Sequence, residues 1–329
     1  MTKPVLISGI QPTGKLHLGN YLGALKNFVD LQDSGKYQCY FFIADYHSLT
    51  EDFNPREKSK QIESLTADFL AAGLDPKKST IFLQSQVPQS TELAWILSTI
   101  APFGELSRMT QFKEKSESQK ENMNVGLFTY PILMAADIIL YNSGVVPVGE
   151  DQLQHLELTR ALARKFNSKF GQTFIEPKAL LTATPRLMSL DDPSKKMSKS
   201  RPAGCLFIDD SPEEIEQKIK TAVTDSGNEV KYDPQNKAGI SNMISIMAGL
   251  SGKTIQEVEK AFAGMNYGEF KHSLSDFVAD YFAQFRKKKS ALLKKSATLK
   301  KALRRGSGQA SKIAEKKILE VKEKVGLAI

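Results

Sequence analysis

Cysteine is scarce: Cys39 and Cys205 are the only two in 329 residues. They stand far apart and in no CxxC or Cys/His spacing, so the chain offers no disulfide framework, and no metal ligands are expected. Cys39, inside the apolar run Cys39–Ile43, reads as a small buried hydrophobe, and a reducing, cytoplasmic setting fits. Long apolar runs are missing as well. No stretch approaches the ~20 residues of a membrane span. Met1–Gly9 has too short an apolar run for a secretory leader and no plausible cleavage site, so no membrane association is expected. There is no internal repeat.

At 329 residues the chain is too long for one small core and is expected to form two domains. Its hydrophobic content, 41%, is ample for globular folding. Charge is unevenly placed. The whole chain carries +8, yet Arg286–Ile329 holds 15 Lys or Arg against Glu315, Glu320 and Glu323, a net +12, leaving −4 for residues 1–285. A near-neutral body with one basic end points to a polyanion docked there. A solvated helix face is the plainer alternative.

Strand-like and helix-like stretches alternate through the first half. Pro4–Ser8, Gln38–Asp45, Thr80–Ser85 and Val145–Val148 read as strands. Leu16–Asp30, a stretch opened by Asn54 and Pro55 and ending near Gly73, Ser90–Ile100, Tyr130–Tyr141 and Glu150–Phe166 read as helices. The alternation predicts an α/β fold with a Rossmann-like, doubly wound parallel sheet, whose ligands sit beyond the carboxyl ends of the strands. After Phe174 the pattern changes. Thr182–Pro202, rich in Pro, Asp, Ser and Lys, is expected to be a functional loop, and from Pro212 onward the periodicity is helical. Ala314, Ile318, Val321 and Val325 share one stripe, so the basic end is expected as a folded amphipathic helix. The predicted organisation is a sheet domain at 1–181, a loop linker at 182–205 and a mostly α-helical domain at 206–329. The last helix is free to pack back on the first domain.

Three places carry chemistry. Gly9–Asn20 follows the apolar Val5–Ile7 and leads into an amphipathic stretch, so it reads as strand, glycine turn and helix N-terminus. There, backbone N–H groups and the helix dipole favour an anionic ligand. Gly9–Lys15 fits most of a P-loop, but Leu16 stands where the metal-binding hydroxyl belongs, which disfavours a P-loop NTPase. Gly19 lets a nucleotide lie against the helix start, and His17 and Asn20 can donate hydrogen bonds to phosphate or ribose. Lys196–Ser200, between Pro193 and Pro202, supplies cations and hydroxyls suited to a polyphosphate. Finally, Asp137 is a carboxylate in an otherwise apolar helix, where burial is costly unless it is paired. Tyr130, Met134, Asp137 and Tyr141 share a helical face, giving aromatic and thioether walls around one acceptor. A flat apolar ligand with a single N–H or O–H donor suits that face; a structural ion pair to an arginine is the alternative.

In this order and separation, Gly9–Asn20 and Lys196–Ser200 resemble the paired HIGH and KMSKS elements of class I aminoacyl-tRNA synthetases. Over essentially its full length the chain resembles the bacterial tryptophanyl-tRNA synthetases. The matching stretches are Ser8–Gly14, His17–Ala24, Gly104–Lys115, Met134–Tyr141, Val146–Gln152, Lys195–Ser200 and Ala222–Ser226. The resemblance implies that Asp137 receives the indole N–H of tryptophan, which agrees with indole being a donor only. It implies an indole pocket shaped by Ile7, His47, Met134, Val146 and Val148, with Tyr130 and Gln152 facing the amino-acid head group. By the same resemblance Gln11, Pro12, Thr13, Gly19, Asn20, Gly149, Glu150, Asp151 and Leu187 hold ATP. Lys196, Met197, Ser198, Lys199 and Ser200 close on the triphosphate, helped by His17 and Lys115.

The partners so implied are ATP with Mg²⁺, L-tryptophan and tRNA(Trp), with the anticodon end of the tRNA on the helical domain and the chain acting as a homodimer. The apolar residues Leu93, Trp95, Ile96, Leu97, Ile100, Phe103, Leu106 and Met109 exceed what one helix needs on its own sheet and fit a covered face. Two positions depart from close relatives: His17 stands where Thr is common, and Ile7 where an aromatic residue often meets the indole. The cysteine cluster of some tryptophan enzymes has no counterpart here. A tyrosyl-tRNA synthetase and a non-catalytic RNA-binding paralogue are the rival readings.

Overall fold

The computed structural model describes residues 3–112, 124–181 and 186–328. Five strands, β1 (Val5–Ile10), β2 (Gln38–Ile43), β3 (Thr80–Leu83), β4 (Val145–Val148) and β5 (Lys178–Leu181), form one parallel sheet in the order β3-β2-β1-β4-β5. Leu6 pairs with Cys39 on one side and Val145 on the other. The order reverses between β1 and β4, so the ligand crevice opens beyond their carboxyl ends. β5 is not foreshadowed by the sequence. It is an edge strand with no fully buried residue, so it lacks the apolar run that marks a central strand; its pairing with β4 makes it a strand.

Both faces of the sheet are covered. Leu6, Phe41, Ile43 and Ile81 point one way, towards Leu25, Phe28 and Phe69; Ile7, Tyr40, Phe42 and Phe82 point the other, towards Leu97, Ile132, Leu162 and Phe166. The helices supplying these residues are α1, α2 (Pro55–Ala72), α3 (Gln89–Ser98), α5 (Val125–Ile139) and α6 (Leu153–Phe170), and the short α4 (Phe103–Ser107) adds Leu106 to the second group. α1 begins at Leu18–Asn20, passes through a π-helical turn at Tyr21–Leu25 and continues as Lys26–Asp33. Asn54 caps α2 by accepting the Arg56 N–H, with Pro55 at the first position, as its sequence indicates. α5 starts earlier than its apolar run suggests, because the Asn124 side chain accepts the Leu127 N–H.

The second half is helical: α7 (Pro212–Lys220), α8 (Ala238–Ser251), α9 (Ile255–Ala261), α10 (Tyr267–Tyr281), α11 (Ala283–Leu293) and α12 (Ser296–Val325). The cluster around Phe28 and Phe69 continues without a break through Leu187 and Met197 to Ile215, Met243 and Phe270. α12 returns to the sheet. Its Ala310, Ala314, Ile318 and Val321 join the opposite cluster. Beside β3 the approach is so close that a Cβ on Gly306 would lie 1.8 Å from the Ile81 carbonyl oxygen. The Leu83 N–H donates to Ser307 Oγ at 3.2 Å, giving this sheet edge the partner it would otherwise lack.

The basic end is less free than its charge count. Lys289 is buried between Asp68 Oδ1 (2.7 Å) and Asp209 Oδ2 (2.8 Å). Lys317 is buried too, donating to the Thr173 carbonyl and to Glu320. Among the described residues no helix is long and apolar enough to cross a membrane. Leu93, Ile96, Leu97, Ile100, Leu106 and Met109 are interior, whereas Trp95 and Phe103 are each 74% exposed.

Candidate active site

After β1 the chain turns at Gly14 (φ 102°) and enters α1 through His17. His17 Nδ1 accepts the Asn20 N–H at 3.2 Å, while Asn20 Oδ1 accepts the His17 N–H at 3.4 Å. Nδ1 is therefore the unprotonated nitrogen, and only Nε2–H remains to donate to a ligand. Burial, with Lys199 nearby, pulls the imidazole down to about 4, so it is neutral at pH 7. Gly19 matters here for a reason beyond the ligand: a Cβ on it would lie 2.9 Å from the His17 ring.

The lysine loop is stitched to this turn. The Leu18 N–H donates to the Leu206 carbonyl (2.8 Å) and the Ile208 N–H to that of Leu16 (3.1 Å). Ahead of this lies a hairpin in which Ser189 N–H meets the Lys195 carbonyl (2.8 Å) and Met197 N–H meets that of Leu187 (3.0 Å). Leu187 and Met197 are buried in the apolar cluster beneath it. Lys199 Nζ then reaches Thr13 Oγ1 at 3.1 Å, and burial pulls its ammonium below the usual lysine range. Ser198 and Ser200 pair through their hydroxyls at 3.0 Å. Two segments some 180 residues apart in sequence thus touch through side chains.

Two adjoining chambers lie at the reversal point. The outer, of about 670 Å³, is lined by Gly19, Asn20, Gly149, Glu150, Asp151, Arg186 and Lys196. The inner, of about 320 Å³, is lined by Ile7, Gln11, His47, Tyr130, Met134, Asp137 and Val146. Asn20 and Gln152 border both. Val148, expected with the inner group, lines the outer chamber. Pro12 is buried at the turn and lines neither. Tyr141 also departs from expectation: it is interior, stacked on Tyr40 with ring centroids 5.4 Å apart. Lys115 lies outside the described residues.

Asp137 is buried without an arginine. Its Oδ2 accepts from Gln84 Nε2 at 2.7 Å and lies 3.0 Å from His47 Nε2. Gln84 Oε1 accepts the Tyr46 N–H at 3.1 Å, which fixes the orientation of that amide. No described residue donates to Oδ1, so the carboxylate keeps one oxygen for a ligand. Tyr130 is held by His155 Nε2 (2.8 Å) and Gln111 Oε1 (3.1 Å), and burial pushes its phenol up to about 12. Sequence reasoning missed Gln84, His155 and Arg186. Gln84 had a signal, since it directly follows the carboxyl end of β3. His155, on a buried face of α6, had none. The arrangement suits a flat ring with one donor, placed beside a polyanion.

The profile of the tRNA synthetases class I (W and Y) matches residues 2–283. A tryptophan--tRNA ligase of Caldanaerobacter subterraneus is 47% identical over 327 residues, 98% of each chain. The crystal structure of tryptophanyl-tRNA synthetase from Mycoplasma pneumoniae superposes with a TM-score of 0.89 at 34% identity, covering 99% of both chains. That from Campylobacter jejuni, complexed with ADP and tryptophan, gives 0.83 at 38% identity, covering 98% of this chain and 99% of that one. With the sheet order, the joined signature segments and these full-length likenesses, the chain belongs to the class I tRNA synthetases of the W and Y family and, within it, to the bacterial tryptophanyl-tRNA synthetases.

Proposed function

We infer that this chain activates L-tryptophan with ATP and charges tRNA(Trp) with it. The observation that carries the reading is the open Oδ1 of Asp137 in an apolar chamber that adjoins an anion chamber. The indole ring lies against Ile7, Met134 and Val146, with its N–H on Asp137. Ile7 keeps that wall apolar without an aromatic side chain. Tyr130 and Gln152 meet the amino-acid head group where the chambers join. ATP lies along Gly19, Asn20 and Gly149–Asp151, with its phosphates towards Lys196 and Lys199.

A tryptophan carboxylate oxygen attacks the α-phosphorus; the new O–P bond forms as the bond to the β-phosphate oxygen breaks, and pyrophosphate leaves with the electron pair. Positioning and charge neutralisation supply the acceleration, and no protein base is needed. Lys196, Lys199 and His17 Nε2–H are the donors this chain brings to the phosphates. Glu150 and Asp151, the carboxylates that line the outer chamber, would face Mg²⁺ arriving with ATP, a hard oxygen-binding cation that would add charge neutralisation; among the described residues no group of three His, Cys, Asp or Glu could hold a metal ion by itself. A hydroxyl of the terminal tRNA ribose then attacks the tryptophanyl carbonyl. The ester C–O bond forms as the bond to the adenylate phosphate oxygen breaks, AMP leaves and the hydroxyl proton goes to solvent, while the anticodon end of the tRNA rests on the helical half. A homodimer in the cytoplasm completes the reading, with exposed Trp95 and Phe103 covered by the second copy.

Amino-acid-dependent exchange of pyrophosphate into ATP, run over the standard amino acids, tests this. Tryptophan alone is expected to drive rapid exchange, because a site built around a buried hydrogen bond can reject a ring without the donor by roughly 10⁴. Exchange driven by tyrosine and not tryptophan would overturn it.

A further inference from the structure

The hairpin that carries Lys196 has a second support outside the sheet half. Met188 and Lys196 face each other across it as a non-hydrogen-bonded pair, so the backbone N–H and carbonyl of Met188 point outward. Asn242, buried on α8, takes both: the Met188 N–H donates to Asn242 Oδ1 at 2.8 Å, and Asn242 Nδ2 donates to the Met188 carbonyl at 2.9 Å. One side-chain amide therefore acts as a neighbouring strand would. Only an amide does this at such a length, since the site needs an acceptor and a donor side by side. The turn end of the same hairpin is held again where the Val223 N–H donates to the Leu190 carbonyl at 2.8 Å.

We propose that Asn242 is a positioning residue for Lys196: by closing on both backbone groups of Met188 it fixes the hairpin that presents Lys196 to the outer chamber. The inference rests on the reading of that chamber as the ATP site. Asn242 lies in the helical half and lines neither chamber. It acts only through the hairpin, so its loss should spare tryptophan binding and weaken the step that needs the lysine in place.

Asn242→Asp keeps the shape and the bond from the Met188 N–H but sets a carboxylate against the Met188 carbonyl; Asn242→Ala removes both bonds. Leaving these partly buried backbone groups unpaired should lower kcat of tryptophan-dependent pyrophosphate exchange by roughly tenfold in either variant, with the KM for tryptophan unchanged. Tryptic cleavage after Lys195, Lys196 and Lys199, mapped by mass spectrometry on the native protein, should speed up by a similar factor. That second readout does not depend on activity, so failure of the assigned reaction in the unsubstituted protein is told apart from failure of this proposal. Unchanged kcat and cleavage, a loss of kcat matched by a rise in tryptophan KM, or the absence of cooperative melting in both variants would each overturn it.

Discussion

Asp137 is costly to bury, and the structure shows how that cost is offset without an arginine. Gln84 and His47 both sit on Oδ2, leaving Oδ1 clear. Asp137→Ala should raise the tryptophan KM and erase much of the discrimination against phenylalanine; unchanged selectivity in exchange assays would make Asp137 structural. Gln84→Met, close in shape but without the donor, should raise the tryptophan KM by roughly tenfold while the KM for ATP stays put. Parallel changes in both would count against it. The candidate site was legible wherever a residue's type stands out from its surroundings, as with a lone carboxylate on an apolar helix or lysines and serines in a loop between two prolines. Gln84 and His155 clash with nothing in sequence. They join the candidate site only when the end of β3 and α6 are brought against α5, a fact of tertiary packing.

Among the elements, β1, β2 and β4 were readable because central strands are apolar on both faces, β3 because α12 covers its edge and keeps its Ile81–Leu83 run buried and apolar, and α2 because its cap and first proline announce it. β5 was not, since an edge strand is defined by its neighbour. The glycines of α12 carry opposite expectations. In a solvated helix, alanine is favoured over glycine by about 1 kcal/mol. Gly308 is exposed with nothing near its Cβ position, so Gly308→Ala should stabilise the protein by up to that amount. Gly306 faces the Ile81 backbone, which cannot swing aside, so Gly306→Ala should destabilise by about 1–3 kcal/mol. Urea denaturation midpoints decide the matter: two shifts of the same sign would contradict the close packing of α12 on β3.

For the whole molecule, charge was visible in sequence but its availability was not. Lys289 and Lys317 count towards the +12 of the basic end and yet hold the interior together. Lys287, Lys288, Lys294 and Lys295 are among the basic residues of this end that stay exposed. Replacing these four with Gln should weaken tRNA charging and flatten its salt dependence, since fewer counterions are released on binding. Tryptophan-dependent exchange should survive. A joint loss of charging and exchange in a folded variant would show that these lysines form no separate RNA-binding surface.

The packing of α12 on β3 also sets an order in time. Leu83 leaves the ribosome 224 residues before Ser307, the residue that accepts its N–H. Throughout that interval the nascent sheet carries an open edge, of the kind that templates strand addition between neighbouring chains on a polysome. A message cut short before Ser296 would leave that edge open for good, so a late stop codon would damage the half of the molecule that was made first.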